Sequence, residues 1–151
     1  MTEVQGQLEK TPLQVEMEEV LRRYIDELLN SHRDELVEEF MHPEFRHFTD
    51  ESALALENDG TDLEGIKAGL IEVREKLAPH YSAEVVRWEG DIAHLEWKTT
   101  VTHQGYIFDR EPTGKTFTLT YTGQTRFKDG KIYQAQNYWD PQQALSVIDG
   151  D

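Results

Sequence analysis

The chain has 151 residues, no cysteine, and 30 acidic against 15 basic side chains, a formal charge of −15. That length fits one domain with its own core, and three Trp, six Tyr and six Phe supply the volume a disordered chain lacks. The charge speaks against nucleic acid and anionic membranes as partners; the missing cysteines remove disulfides, thiolate chemistry and cysteine zinc sites.

No apolar run is long enough for a membrane span, and Met1-Thr2-Glu3-Val4-Gln5-Gly6 does not read as a signal peptide. The expectation is a soluble cytoplasmic protein. Its acidity reads either as a surface that keeps it soluble or as adaptation to high salt.

Residues 1–13 are polar and aperiodic and are expected to form a mobile arm, with a single domain over 14–151. Met17, Val20, Leu21, Tyr24, Ile25, Leu28 and Leu29 recur at helical spacing and predict a first helix ending near Asn30. Ser31 can cap a shorter second helix carrying Leu36, Val37, Phe40 and Met41, which Pro43 ends. His42 to Phe48 reads as an ordered link and Thr49 to Gly60 as a surface loop. Thr61 and Glu64 form a capping box for a third helix on Leu63, Ile66, Leu70, Val73 and Leu77, closed by Pro79.

Beyond Pro79 the period becomes two. Val86 and Trp88, then Ala93, Leu95, Trp97, Val101 and His103, mark two strands around a Gly90-Asp91 turn. Phe117 to Phe127 and Lys131 to Trp139 are two more, joined at Asp129-Gly130. Ala144, Leu145, Val147 and Ile148, in a short tail, can cover one edge. The expected class is α+β, with three N-terminal helices packed on a curved antiparallel sheet of four or more strands.

A two-residue turn at Asp129-Gly130 pairs Phe127 with Ile132, Thr125 with Gln134, Gly123 with Gln136 and Tyr121 with Tyr138. The Gly90-Asp91 turn likewise sets Val86 opposite Leu95 and Glu84 opposite Trp97. Aromatics mixed with Gln and Gly on one face suit a small-molecule cavity; the alternative is Gln side chains solvated at the open end of the sheet. On the other face, Tyr133 and Trp139 suggest burial in a homodimer; the alternative is isolated exposed aromatics.

Thr102-His103-Gln104-Gly105, Pro112-Thr113-Gly114-Lys115, Arg126-Phe127-Lys128-Asp129-Gly130-Lys131-Ile132 and Tyr138-Trp139-Asp140 occur in order, after Pro43-Glu44-Phe45, His47 and Gly65. Over about residues 15–148 this set resembles the SnoaL-like polyketide cyclase family of the nuclear transport factor 2-like superfamily. The resemblance implies a cone-shaped α+β barrel enclosing a pocket, often dimeric through the outer sheet face. It also implies an acid/base aspartate on the third strand of the meander and a tryptophan on the fourth. Here those positions are Gly123 and Gln136. The family's pocket histidine corresponds to His103.

His103 is the tentative base; the alternative is a histidine that only hydrogen-bonds. Tyr24, His47, Trp88, Trp97, Tyr121, Gly123, Gln136 and Tyr138 are the candidate ligand-contacting residues. The six histidines lack a shared face or helical spacing, so no metal is expected. No phosphate loop or Ser-His-Asp pattern is present, and no cofactor is expected. The expected function is binding of an apolar or aromatic small molecule, with acid/base chemistry in view but without the family's aspartate. The alternative is a non-catalytic dimeric binding or interaction module.

Overall fold

Thr11 starts the first helix. Its hydroxyl accepts from the Gln14 N–H while the Gln14 side chain accepts from the Thr11 N–H, a reciprocal cap with Pro12 in the first turn. The computed structural model describes residues 10–49 and 62–150. Helix α1 spans Pro12–Arg23 and so begins inside the predicted arm; residues 1–9 of that arm lie outside the described residues. The chain then widens into a π-helical segment, Tyr24–Asn30. Met17, Leu21, Ile25, Leu28 and Leu29 form its buried stripe.

The far end of this helix is pinned through Asn30. Its Nδ2 donates to the Tyr81 carbonyl at 2.8 Å, and its Oδ1 accepts from the Tyr81 N–H at 2.7 Å. A 3-10 turn, Asp34–Leu36, leads into the short helix α2, Val37–Phe40. Arg74 from the next helix holds this corner. It reaches both Asp34 carboxylate oxygens at 2.9 Å and the Leu28 carbonyl at 3.2 Å. The Arg74 pairing holds the Asp34 carboxyl below its ordinary range.

The first difference from expectation follows. Met41–Thr49 is strand β1; it takes in the predicted link His42 to Phe48 together with Met41 of the expected second helix and Thr49 of the expected loop. It lies at the sheet edge, parallel to the last strand, with an irregularity between Met41 and Arg46. Pro43 falls within that irregular stretch, where a missing N–H breaks no ladder. Helix α3, Leu63–Leu77, is capped by Asp62, which accepts from the Gly65 N–H at 2.9 Å. The expected cap at Thr61, and the loop read over 50–60, lie outside the described residues. Ala78, at φ 43°, ends α3 ahead of Pro79.

Strands β2 (His80–Glu89), β3 (Ile92–Thr102), β4 (Thr116–Lys128) and β5 (Lys131–Tyr138) form the expected meander. With β1 the order is β1-β5-β4-β3-β2. The C-terminal tail is a helix, α4, Pro141–Ile148, capped by the Asp140 side chain. One apolar cluster joins α1, α2, β1 and the hairpin ends of the sheet; a second joins Leu77, Val101 and Leu119 to Ala144 and Ile148 of α4. Among the described residues no helix is long and apolar enough to cross a membrane.

Two β-bulges correct the predicted registers. Beside the turn, Trp88 faces Ala93 as expected, but Val85 then faces Leu95 and Ala83 faces Trp97, leaving Val86 extra and 48% exposed. Glu84 therefore pairs with Glu96 on the outer face, not with Trp97. In the other hairpin Phe127 faces Ile132, but Arg126 then faces Gln134, so Tyr133 is the extra residue. Thr125 pairs with Ala135, Gly123 with Asn137, and Thr122 with Tyr138. A one-residue slip moves every later side chain to the opposite face.

Asn30→Ala removes both bonds that tie α1 to β2 and leaves the Tyr81 backbone groups without their partner. Urea denaturation is expected to show a loss of about 1–3 kcal/mol. An unchanged midpoint would mean that α1 is held by apolar packing alone.

Candidate functional site

The inward-facing positions of the sheet form cross-strand rows. One row holds His47, Ala135, Thr125 and Ala93; the next holds Asn137, Gly123, Leu95 and Val85; a third holds Tyr121, Trp97 and Ala83. Tyr24, the first residue of the π-helical segment, and Tyr81 pack against the same cluster.

Aromatics make most of this wall. Trp97 and Tyr121 are near-parallel, with centroids 6.1 Å apart at 10°, and Tyr81 meets Trp97 edge-on at 6.2 Å. The Tyr121 and Thr99 hydroxyls stand 2.8 Å apart. Tyr24, Tyr81, Tyr121 and His47 are only half-buried by surface area. Yet burial raises the pKa of all three tyrosines, with Tyr24 and Tyr81 also feeling the Tyr121 hydroxyl. Burial also lowers His47 from 6.5 to about 4. On its α1–β2 side, Tyr81 also lines a groove of about 570 Å³ floored by Leu21, Ile25, Val85 and Leu95 and rimmed by Glu18, Asp26 and Glu84.

At the centre of the second row, Gly123 lets two polar groups approach. A β-carbon there would collide with Asn137 Oδ1 and stand 2.9 Å from the Gln136 carbonyl and 3.2 Å from Trp97 Nε1. Asn137 Nδ2 stands 3.3 Å from His47 Nε2. Donation from the amide keeps the His47 proton on Nδ1 and fixes which end of Asn137 points at Gly123. Trp97 Nε1 is buried and has no hydrogen-bond partner among the described residues.

A model of the SnoaL-like polyketide cyclase family matches residues 19–146. The chain belongs to this family. Among solved structures, a protein assigned as a SnoaL-like polyketide cyclase from Jannaschia sp. CCS1 is 18% identical with a TM-score of 0.80, over 95% of this chain and 98% of that one. IdmH from Streptomyces antibioticus, assigned as a polyketide cyclase, is 19% identical with a TM-score of 0.76, over 89% and 99%. AclR from Streptomyces galilaeus, assigned as a hydroxylase, is 16% identical with a TM-score of 0.73, over 89% and 82%. At these identities the likeness shows the fold. No curated protein sequence matches the chain.

Of the residues expected to meet a ligand, the structure brings together Tyr24, His47, Trp97, Tyr121 and Gly123. Trp88 is on the inner face but sits at the hairpin end, against Phe127 and with its Nε1 donating to Glu18 at 3.3 Å. Gln136 and Tyr138 are corrections. The Tyr133 bulge turns both outward, where Gln124 Nε2 donates to the Tyr138 hydroxyl at 3.2 Å. Asn137 takes the inner place expected of Gln136.

His103, the expected base, is fully buried just past β3. It lies six residues beyond Trp97, up to about 20 Å along an extended chain. The Thr113 N–H donates to its Nδ1 at 3.2 Å, and the Thr113 hydroxyl stands 2.9 Å away. Its ring ties the 103–115 loop together and is not grouped with Gly123 and Asn137.

The expected dimer pair also separates. Tyr133 carries the Lys128 ammonium 4.8 Å above its ring, with His42 edge-on at 5.1 Å. Trp139 leaves the sheet and packs against Phe108 in the α4 cluster. Among the described residues no three His, Asp or Glu side chains group to hold a metal ion.

Asn137, Tyr81 and Thr99 are the site residues that sequence reading missed. The available signal was adjacent apolar pairs, Val85-Val86 and Ile132-Tyr133, each at a bulge.

Gly123→Ala is expected to cost more than 1 kcal/mol in denaturant unfolding, because Asn137 and the Gln136 carbonyl already fill that space. Pairing it with Asn137→Ala recovers part of that loss, giving a coupling of about 0.5 kcal/mol or more in a double-mutant cycle. Strict additivity would show that the two side chains do not compete.

His47 gives a pH signature. Between pH 6.5 and about 4 the unfolded chain binds a proton that the folded chain refuses. Stability is therefore complete above that window and falls as pH drops through it, by up to ~3 kcal/mol less a discount for residual solvation. His47→Gln is expected to flatten this component in urea titrations at pH 7 and 4.5; equal slopes would contradict a desolvated imidazole.

Proposed function

We propose that the chain binds a small, uncharged, predominantly aromatic molecule against the Tyr24, Tyr81, Trp97 and Tyr121 wall, and that it does so without the family's aspartate-dependent cyclisation. The observation that carries this reading is the composition of the inner rows around Gly123. They carry aromatic faces, an amide and a histidine whose lowered pKa keeps it neutral, and among the described residues of these rows there is no carboxylate or cation. Membership of the SnoaL-like family supports a small-molecule pocket.

The chemistry follows from what is present. Aldol closure needs a group that takes a proton from carbon and returns one to oxygen. Glycine at 123 supplies neither, and Asn137 beside it does not titrate. His47 is the nearest imidazole, but its Nε2 is occupied by the Asn137 amide. His103 is fully buried, with Nδ1 held by Thr113 and Nε2 without a hydrogen-bond partner among the described residues. Binding is thus the role these residues support. Charge selects the ligand further: a net charge of −15 and an unpaired-cation-free wall disfavour anions.

The test is a matched pair of naphthalenes. 2-Acetylnaphthalene is expected to bind with quenching of tryptophan fluorescence that is lost in Trp97→Ala. 2-Naphthoate, similar in shape but anionic, is expected to bind at least ~10-fold more weakly. Absence of binding by either, or a preference for the carboxylate, would overturn the reading.

A further inference from the structure

We propose that the free edge of β2, with the groove between it and α1, takes an extended basic peptide segment of a partner protein, which adds to the sheet as a further strand. The surface adjoins the aromatic wall at Tyr81, but the proposal does not depend on the ligand read there.

Strand β2 ends the order β1-β5-β4-β3-β2, so one of its sides has no neighbouring strand. Asn30 shows what that side accepts. Its side-chain amide exchanges two hydrogen bonds with the Tyr81 backbone, at 2.7 and 2.8 Å, as a residue of an adjoining strand would. The fold finishes β4 in the same way where β5 stops. There Gln143 accepts from the Thr120 N–H at 2.9 Å and donates to the Thr120 carbonyl at 2.6 Å.

The pairing at Tyr81 fixes the direction of the backbone groups that follow. Tyr81 lies opposite Thr99 and Ala83 opposite Trp97 in an unbroken antiparallel register. Alternation along such a ladder points the Ala83 N–H and C=O away from β3, as it does those of Tyr81. At Ala83 no amide of the described residues covers them. Ala83 also lines the groove of about 570 Å³, whose floor is Leu21, Ile25, Val85 and Leu95. Free backbone groups beside an apolar floor are the two elements that strand addition uses, one for affinity and one for side-chain choice. The bulge at Val86 ends the regular edge, so a short segment fills it.

Charge selects the occupant. Glu18 is held by Lys10 at 2.9 Å, and Arg22 is held by Glu19. Asp26 on the helix side and Glu84 on the strand side have no ion-pair or hydrogen-bond partner among the described residues. Two free carboxylates lining one groove, in a chain of net charge −15, attract a basic segment and repel a second copy of the same chain. Like charge on an edge strand also keeps identical copies from pairing edge to edge.

The test is an amide NMR titration of the isotope-labelled full chain at low ionic strength. The probe is a capped pentapeptide alternating arginine with valine. The Ala83 and Val85 resonances are expected to move, and the peptide should bind ~10-fold or more tightly than its glutamate–valine counterpart. N-methylation of the three central residues keeps the charge, removes the backbone donors and should abolish binding. Ala83→Pro removes the edge N–H from the protein side and should do the same, with circular dichroism checking its fold; should it not fold, the N-methylated peptide decides. Asp26→Asn with Glu84→Gln should narrow the preference for the basic peptide. Undiminished binding of the N-methylated peptide, or by a folded Ala83→Pro, would overturn the strand addition. So would argininamide binding as tightly as the peptide, which would make the groove a site for a small cation. Equal binding of the acidic peptide, or a preference unchanged in the double variant, would overturn the charge assignment. Movement of the same resonances with protein concentration alone would overturn the proposal in favour of a second copy. No shift with any peptide would overturn it outright, and leaves the aromatic-ligand reading untouched.

Discussion

One steric fact organises the middle of this protein: residue 123 has no β-carbon, and Asn137 uses the space. Two side chains cannot share that point, so the choice of glycine on β4 and the choice of a long amide on β5 are one choice. The bulge at Tyr133 makes it available, because only the slipped register sets Asn137 opposite Gly123 and facing inward. Strand β1 completes it by running parallel to β5 and setting His47 against Ala135, one row away, where it meets the Asn137 amide. Where the resemblance implies an aspartate, at position 123, the chain carries glycine, and the polar group of the inner wall is an amide on the neighbouring strand, which does not titrate.

Much of the architecture was legible from the residues. The helical spacing of Met17 to Leu29, the Leu63 to Leu77 repeat and the two turn dipeptides predict the helices and the meander where they stand. What periodicity could not supply was phase. A tight turn fixes register only until the first bulge, and each hairpin has one within five residues of its turn. Past that point the inward assignments on the bulged strand inverted while those on its partner held, which is why Gln136 and Tyr138 stood in for Asn137. Strand β1 was hidden for a different reason. A strand with Pro43 near its start and parallel pairing to a partner some ninety positions away leaves no local signal.

The acidity of the chain acquires a location once the registers are corrected. Glu84, the one carboxylate expected on the inner face, turns outward to Glu96. Many others are spent on surface pairs such as Arg23 with Glu27 and Glu39, Lys67 with Glu38 and Glu64, and Lys76 with Glu72. Such pairs contribute little to stability individually. Their placement matters more for what they leave behind: a strongly negative shell around an interior wall with no formal charge.

That separation has a consequence for the chemistry of the wall. In a negative field with few nearby cations, a carboxylate at position 123 would be held protonated more readily than in water, and an anionic ligand would be repelled before reaching it. A neutral amide and a neutral histidine avoid both penalties. The His47 imidazole, driven toward its uncharged form by desolvation, stays an acceptor across the neutral range. Its constancy keeps the Asn137 amide in place beside Gly123. The inner wall is thereby chemically the same over the whole range in which the surface carboxylates stay ionised, which suits recognition of a neutral molecule by shape and hydrogen bonding rather than by charge.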